Sequence, residues 1–74
     1  MRRIMPLVNI HMAKGRSADQ KRALMTAITD AVVDTLAAPR DSVRVWISEM
    51  DDTDYMAAGE LIADKRARLD AQDG

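Results

Sequence analysis

Arg16 follows a glycine at the end of a short apolar run, and Arg44 opens a second apolar run further along the chain. A guanidinium carries a fixed charge and a rigid fork of donors, so both side chains suit a carboxylate or a developing oxyanion. Little else in the sequence is reactive. There is no cysteine and a single histidine, His11, which excludes disulfides and thiolate zinc and opposes an all-protein transition-metal site. No metal and no cofactor are expected. Pro6 stands at the head of the first run, where a missing N–H costs no ladder bond, and so marks a strand edge. Taken singly, Arg16 reads as a solvated turn residue, Arg44 as a surface or interface strand residue, and His11 as a hydrogen-bonded interface histidine.

The elements that must position these residues fit one domain over 1–74, with 1–5 as an extension ahead of Pro6 and 62–74 as a tail. A chain this short buries only about 60% of its unfolded surface, which makes association the expected remedy. The composition, 47% hydrophobic and 31% charged, is that of a globular chain. A net charge of −1 without a dense basic patch opposes general affinity for nucleic acid or anionic membrane. Met1-Arg2-Arg3 begins like a signal peptide, but Pro6, Asn9 and His11 break the run that follows. No stretch is long enough to span a bilayer, so the cytoplasm is the default location.

Between Leu7 and Met12 the residues alternate, Val8, Ile10 and Met12 on one face and Leu7, Asn9 and His11 on the other, as in a strand. Lys14-Gly15-Arg16 forms a turn, and Ser17-Ala18-Asp19-Gln20 reads as a capping box that starts a helix. Its apolar stripe is Leu24, Ile28, Val32 and Leu36, widened by Met25, Ala31 and Thr35, with Lys21, Arg22, Asp30 and Asp34 pointing elsewhere. Pro39 ends it by Ala38. Arg40-Asp41-Ser42 make the return turn, and Val43 to Met50 form a second strand, with Val43, Val45 and Ile47 on one face and Arg44, Trp46 and Ser48 on the other.

Two strands around one helix make a β-α-β unit of the α/β (α+β) class, whose right-handed crossover pairs the strands in parallel. The sheet face carrying Leu7, His11, Trp46 and Met50 stays uncovered, and two strands are not stable alone, so a second subunit is expected to complete the sheet. Trp46 reads as an interface anchor, Glu49 as a strand-end hydrogen-bond partner and the methionines as filler. After the acidic loop Asp51 to Asp54, the small residues of Tyr55 to Glu60 permit a hairpin. Leu61 to Leu69 has helical composition, with Asp64 and Arg68 at the favourable spacing, and Ala71 to Gly74 is expected to fray.

The string Met5-Pro6-Leu7-Val8-Asn9-Ile10-His11, then Gly15-Arg16-Ser17, Ala38-Pro39, Ser42-Val43-Arg44-Val45 and Glu49-Met50, resembles the 4-oxalocrotonate tautomerase family of the tautomerase superfamily over roughly residues 5–61. The resemblance implies an isomerase without cofactor, a β-α-β subunit assembled through dimers into a hexamer, and a small enol or dienol keto acid such as 2-hydroxymuconate as substrate, as in aromatic degradation. It implies that Pro6, as a free N-terminal secondary amine, is the general base. By the same resemblance Arg16 binds a substrate carboxylate, Arg44 polarises the carbonyl and stabilises the dienolate, and Tyr55 stands where the family commonly has a phenylalanine wall. The chemistry is sound, since an α-amino group titrates near 7.7–8.0 and neighbouring cations or burial lower it toward operating pH.

One condition attaches to the base. Preceded by Met1-Arg2-Arg3-Ile4-Met5, the prolyl nitrogen is an amide with no basic lone pair. The favoured expectation is that translation starts at Met5 and that Met5 is then removed, leaving residues 1–5 absent and the amine free. The full 74-residue form is expected to be inactive. The alternative is a non-catalytic or altered family subunit whose proline stays blocked. A ribbon-helix DNA binder ranks last, opposed by the second strand and the acidic balance.

Overall fold

Alternation from Leu7 onward produces strand β1, Leu7–Ala13, in which Val8, Ile10 and Met12 are half-buried while Leu7, Asn9 and His11 are exposed. A computed structural model describes residues 5–73 and pairs β1 in parallel with β2, Arg44–Met50, from Leu7 opposite Arg44 to Ala13 opposite Met50. The long crossover that parallel pairing demands is helix α1, Ala18–Leu36. The expected β-α-β unit is therefore present. Val43 stands just ahead of β2: its N–H donates to the Arg40 carbonyl at 3.3 Å, closing the 3-10 turn Arg40–Ser42.

The start of α1 is fixed by its own side chains. The Gln20 N–H donates to the Ser17 hydroxyl oxygen at 3.1 Å, and the Ser17 N–H donates to the Gln20 side-chain oxygen at 3.0 Å. Two donors that a helix start would otherwise leave unpaired are satisfied reciprocally. Replacing Ser17 by Ala is expected to cost about 1 kcal/mol of stability, read as a lower denaturant midpoint with an unchanged slope. At the other end Ala37 adopts a left-handed conformation, φ 54° and ψ 36°, and turns the chain so that Ala38 is buried and Pro39 cannot continue the helix.

The helix face differs in part from the periodicity. Leu24, Met25, Ile28, Thr29, Val32 and Val33 are half-buried, whereas Ala31 and Thr35 are exposed and Leu36 is 50% exposed. The half-buried stripe therefore runs along Leu24, Ile28 and Val32 together with their i+1 neighbours Met25, Thr29 and Val33. Lys21 was expected to point away but is half-buried, its Nζ 3.0 Å from Glu49 Oε1. Glu49 thus shares the helix-facing side of β2 with Val45 and Ile47, and its expected role as a strand-end partner holds.

Past β2, a second 3-10 turn, Asp52–Asp54, leads into an antiparallel hairpin of β3, Met56–Ala57, and β4, Glu60–Leu61. Its two-residue loop has positive φ at both Ala58 (54°) and Gly59 (82°), the pattern that type I′ hairpins require. Helix α2, Ile62–Asp73, follows directly. The expected fraying from Ala71 is corrected as far as Asp73, since α2 runs through these residues; Gly74 lies outside the described residues. The expected Asp64–Arg68 pairing is also corrected: the Arg68 guanidinium reaches back to Glu60, Nε to Oε2 at 3.1 Å and Nη2 to Oε1 at 3.2 Å.

That fork holds the Glu60 carboxyl below its ordinary range, through the Arg68 hydrogen bonds first and the guanidinium charge in addition. A depressed folded pKa stabilises at pH above the unfolded carboxylate range, and the contribution is lost as pH falls through the folded value. Amide hydrogen exchange in the hairpin and the first turns of α2 is expected to accelerate, relative to the rest of the fold, on acidification below that range. Glu60→Gln is expected to remove this acid step.

Most apolar side chains remain partly wet. Among the described residues only Ala38 (4% exposed) and Ser42 (2%) are buried, while Leu7 (66%), Met56 (56%) and Trp46 (43%) stand open. The radius of gyration is 16.8 Å, against about 11 Å for a compact domain of this length. No helix among the described residues is long and apolar enough to cross a membrane.

Candidate active site

Pro6 and Arg44 share one end of the two-stranded sheet. The Arg44 N–H donates to the Pro6 carbonyl at 3.0 Å, one step before the ladder in which Leu7 faces Arg44. The Arg44 guanidinium is aimed by backbone: its Nη1 donates to the carbonyls of Asp41 at 2.7 Å and Val43 at 3.3 Å. Those carbonyls belong to the turn that Pro39 begins, so the proline that stops α1 also sets the arginine. Pro6 is half-buried, and Met5 before it is 62% exposed. Their peptide bond makes the Pro6 nitrogen an amide.

Arg16 lies beyond the other end. The Lys14 N–H continues the ladder to the Met50 carbonyl at 3.0 Å, after which Gly15 takes φ 132°, a left-handed value that disfavours any side chain. This turn delivers Arg16 to the edge of two pockets. One, of about 440 Å³, is lined by Met12, Ala13, Lys14, Gly15, Arg16 and Arg66. The other, of about 230 Å³, is lined by Met12, Arg16, Gln20, Lys21 and Leu24.

The electrostatics of the larger pocket single out Arg16. Lys14 Nζ is 2.7 Å from Asp51 Oδ1, a contact that holds the ammonium above its usual pKa, and Arg66 Nη1 is 3.0 Å from Asp52 Oδ2. Of the three cations lining this pocket, Arg16 alone has no protein partner among the described residues. An exposed, unpaired guanidinium at the mouth of a cavity can take a carboxylate without first breaking an ion pair.

A single chain does not bring the predicted residues together. Pro6 with Arg44 and Arg16 with its pockets are separated by the length of β1, about 20 Å at roughly 3.3 Å per residue. Tyr55 opens the hairpin, 39% exposed, with its carbonyl accepting from the Ile62 N–H at 2.9 Å, and it borders neither Arg16 pocket. His11 is exposed on the uncovered sheet face opposite Ser48. Residues that sequence reasoning missed are Lys14, Asp52 and Arg66. Arg66 and Lys14 are 52 positions apart, and no local pattern joins them. No group of three or more metal-ligating side chains occurs among the described residues.

Comparison with known proteins gives a consistent result. The family model described as tautomerase enzyme matches residues 6–65, ending one residue before Arg66. A probable tautomerase of Listeria innocua is 46% identical over 55 residues, covering 74% of this chain and 90% of that protein. The 2-hydroxymuconate tautomerase of Comamonas testosteroni is 40% identical over 55 residues, covering 74% and 87%. Among solved structures, one from the 4-oxalocrotonate tautomerase isozymes of Methylibium petroleiphilum superposes with a TM-score of 0.82 at 36% identity, covering 85% of this chain and 98% of that one.

Proposed function

From the premise that this chain belongs to the 4-oxalocrotonate tautomerase family of the tautomerase superfamily, we propose that it is an isomerase moving a proton within a small enol or dienol keto acid of the 2-hydroxymuconate type. The observation that carries this reading is the joint placement of Pro6 and Arg44 at one sheet end, bonded at 3.0 Å, with an unpaired Arg16 on the turn after β1. Pro6 acts as the general base once residues 1–5 are absent, because a secondary amine with a pKa lowered toward neutrality both takes and returns a proton. Arg44 stabilises the dienolate oxygen, Arg16 holds a carboxylate, and the Tyr55 hydroxyl adds a hydrogen bond at the pocket wall.

The separation along β1 supports a site completed between copies. A small dienol acid is much shorter than the distance from Pro6 to Arg16, so the two meet only if Arg16 comes from another subunit. The open face of Leu7, His11 and Trp46 supports the same conclusion. The assembly we propose is a homo-oligomer of dimers, a hexamer by family resemblance, acting in the cytoplasm without cofactor, nucleic acid or membrane partner.

A second reading is favoured by the Met5–Pro6 peptide bond itself: a subunit with a blocked proline, binding or assembling without turnover. One comparison separates the two, ketonisation of 2-hydroxymuconate and phenylenolpyruvate by the form beginning at Pro6, by the full chain, and by a Pro6→Ala control at matched oligomer state. No activity of the Pro6-start form above the control overturns the isomerase reading.

A further inference from the structure

The edge of β2 away from β1 is an open strand edge, since the two strands form a sheet of their own among the described residues. A groove of about 440 Å³ runs along it, touching Val45, Trp46 and Ile47 of β2 and no residue of β1. Its other wall is one stripe of α1, from Ala18 through Arg22 to Met25. Trp46 stands 43% exposed in this groove. Lys21 and Glu49, which also line it, neutralise each other at 3.0 Å, whereas the exposed Arg22 makes no hydrogen bond or ion pair among the described residues. The groove is thus largely apolar, carries one unspent positive charge and is bordered by an open strand edge.

The hairpin carries the complementary features. β3 pairs with β4 alone among the described residues, so its other edge is open. Tyr55 gives its carbonyl to the Ile62 N–H at 2.9 Å, which makes Met56 opposite Leu61 a non-hydrogen-bonded pair and turns the Met56 N–H and carbonyl toward the open edge. Met56 is 56% exposed and Tyr55 39%. Just ahead of them the Asp54 carboxylate adds to the field on Lys14 but makes no hydrogen bond or ion pair among the described residues.

We propose that the groove between α1 and the open edge of β2 takes the β3–β4 hairpin of a second copy, with β3 added to β2 as a further strand, Met56 against Trp46 and Met25, and Asp54 paired with Arg22. This rests on the homo-oligomer proposed above and names a surface through which it forms. Strand addition satisfies the backbone groups of two open edges at once, with side chains on alternate positions supplying specificity. The charges match: one free guanidinium in the groove, one free carboxylate at the entry to the hairpin. A hairpin seated beside Trp46 lies two residues, about 7 Å along β2, from Arg44. Tyr55 of one copy thereby approaches the Pro6–Arg44 end of another, although it borders neither Arg16 pocket of its own chain.

The test uses the full chain and reads its self-association constant by sedimentation at neutral pH. Trp46→Ala is expected to weaken association about thirtyfold, as the loss of a central aromatic anchor does. Arg22→Asp and Asp54→Arg, which each set like charges against one another, are each expected to weaken it about tenfold. The double variant Arg22→Asp with Asp54→Arg is expected to return to within about threefold of the parent. No hydrogen bond or ion pair joins these two residues within one chain, so the recovery reads a contact between copies and not restored folding. Asp34→Arg, an equal charge reversal on an exposed position of α1 outside the groove, serves as the control.

If the parent associates and neither Trp46→Ala nor Arg22→Asp weakens it, the copies meet elsewhere; this inference is overturned and the proposed assembly stands. If both single charge reversals weaken association and the double variant stays weak, Asp54 is not the partner of Arg22 and the inference is again overturned. If the parent stays monomeric at every concentration, the assembly itself has failed and the inference goes with it.

Discussion

Removal of residues 1–5 is expected to raise turnover of 2-hydroxymuconate by at least about a hundredfold over the full chain, the lower end of what a positioned general base supplies. The reason is electronic. An amide nitrogen delocalises its lone pair into the carbonyl and has no proton affinity near neutral pH, whereas the same nitrogen as a secondary amine is basic. Position is expected to change little, because the Arg44 N–H that donates to the Pro6 carbonyl at 3.0 Å makes this bond without residues 1–5. Pro6→Ala in the shortened form leaves a primary amine at the same place, so its activity is expected to fall and its pH optimum to move, without a change in oligomer size. The mass of the N-terminus in protein from its native source tells which form the cell makes. Equal activity of the full and shortened chains would sink the amide argument.

Arg44→Gln in the shortened form is expected to lower kcat about 10²- to 10³-fold while KM changes by a much smaller factor. A donor aimed at charge that develops only in the transition state shows its loss in kcat, not in ground-state binding. The fold should tolerate the change, since Arg44 is an exposed residue of β2 whose ladder bonds are made by backbone. Arg16→Gln is its counterpart, with the larger effect in KM, because a carboxylate is equally charged in substrate and dienolate. Steady-state kinetics on both variants reads the split. Loss confined to KM in Arg44→Gln would reassign that arginine to binding alone.

What was legible in the chain was whatever is written locally. The capping box needs only Ser17 and Gln20 three positions apart, and it formed as expected. Alternation over Leu7 to Met12 and Val43 to Met50 announced both strands, and Pro39 announced the stop between them. Side-chain partners set by tertiary packing were not legible. Arg68 could satisfy its charge with Asp64 on its own helix, but the type I′ turn at Ala58 and Gly59 swings Glu60 to the mouth of α2, where both guanidinium donors reach it. Lys21 looked solvated until β2 placed Glu49 beneath it. The same limit applies to the site: Pro6, Arg16, Arg44 and Tyr55 were found through family resemblance, whereas Arg66 becomes visible only when α2 folds back on Gly15.

Burial of only Ala38 and Ser42 among the described residues has a thermodynamic consequence. In the proposed assembly another copy covers this half-wet hydrophobic surface, and that contact supplies driving force a single chain lacks. On that reading folding and association are one equilibrium governed by mass action, and the melting temperature is expected to rise with protomer concentration. Dilution would not release intact monomers with impaired sites. It would dissolve the catalyst and the fold together, at a single threshold.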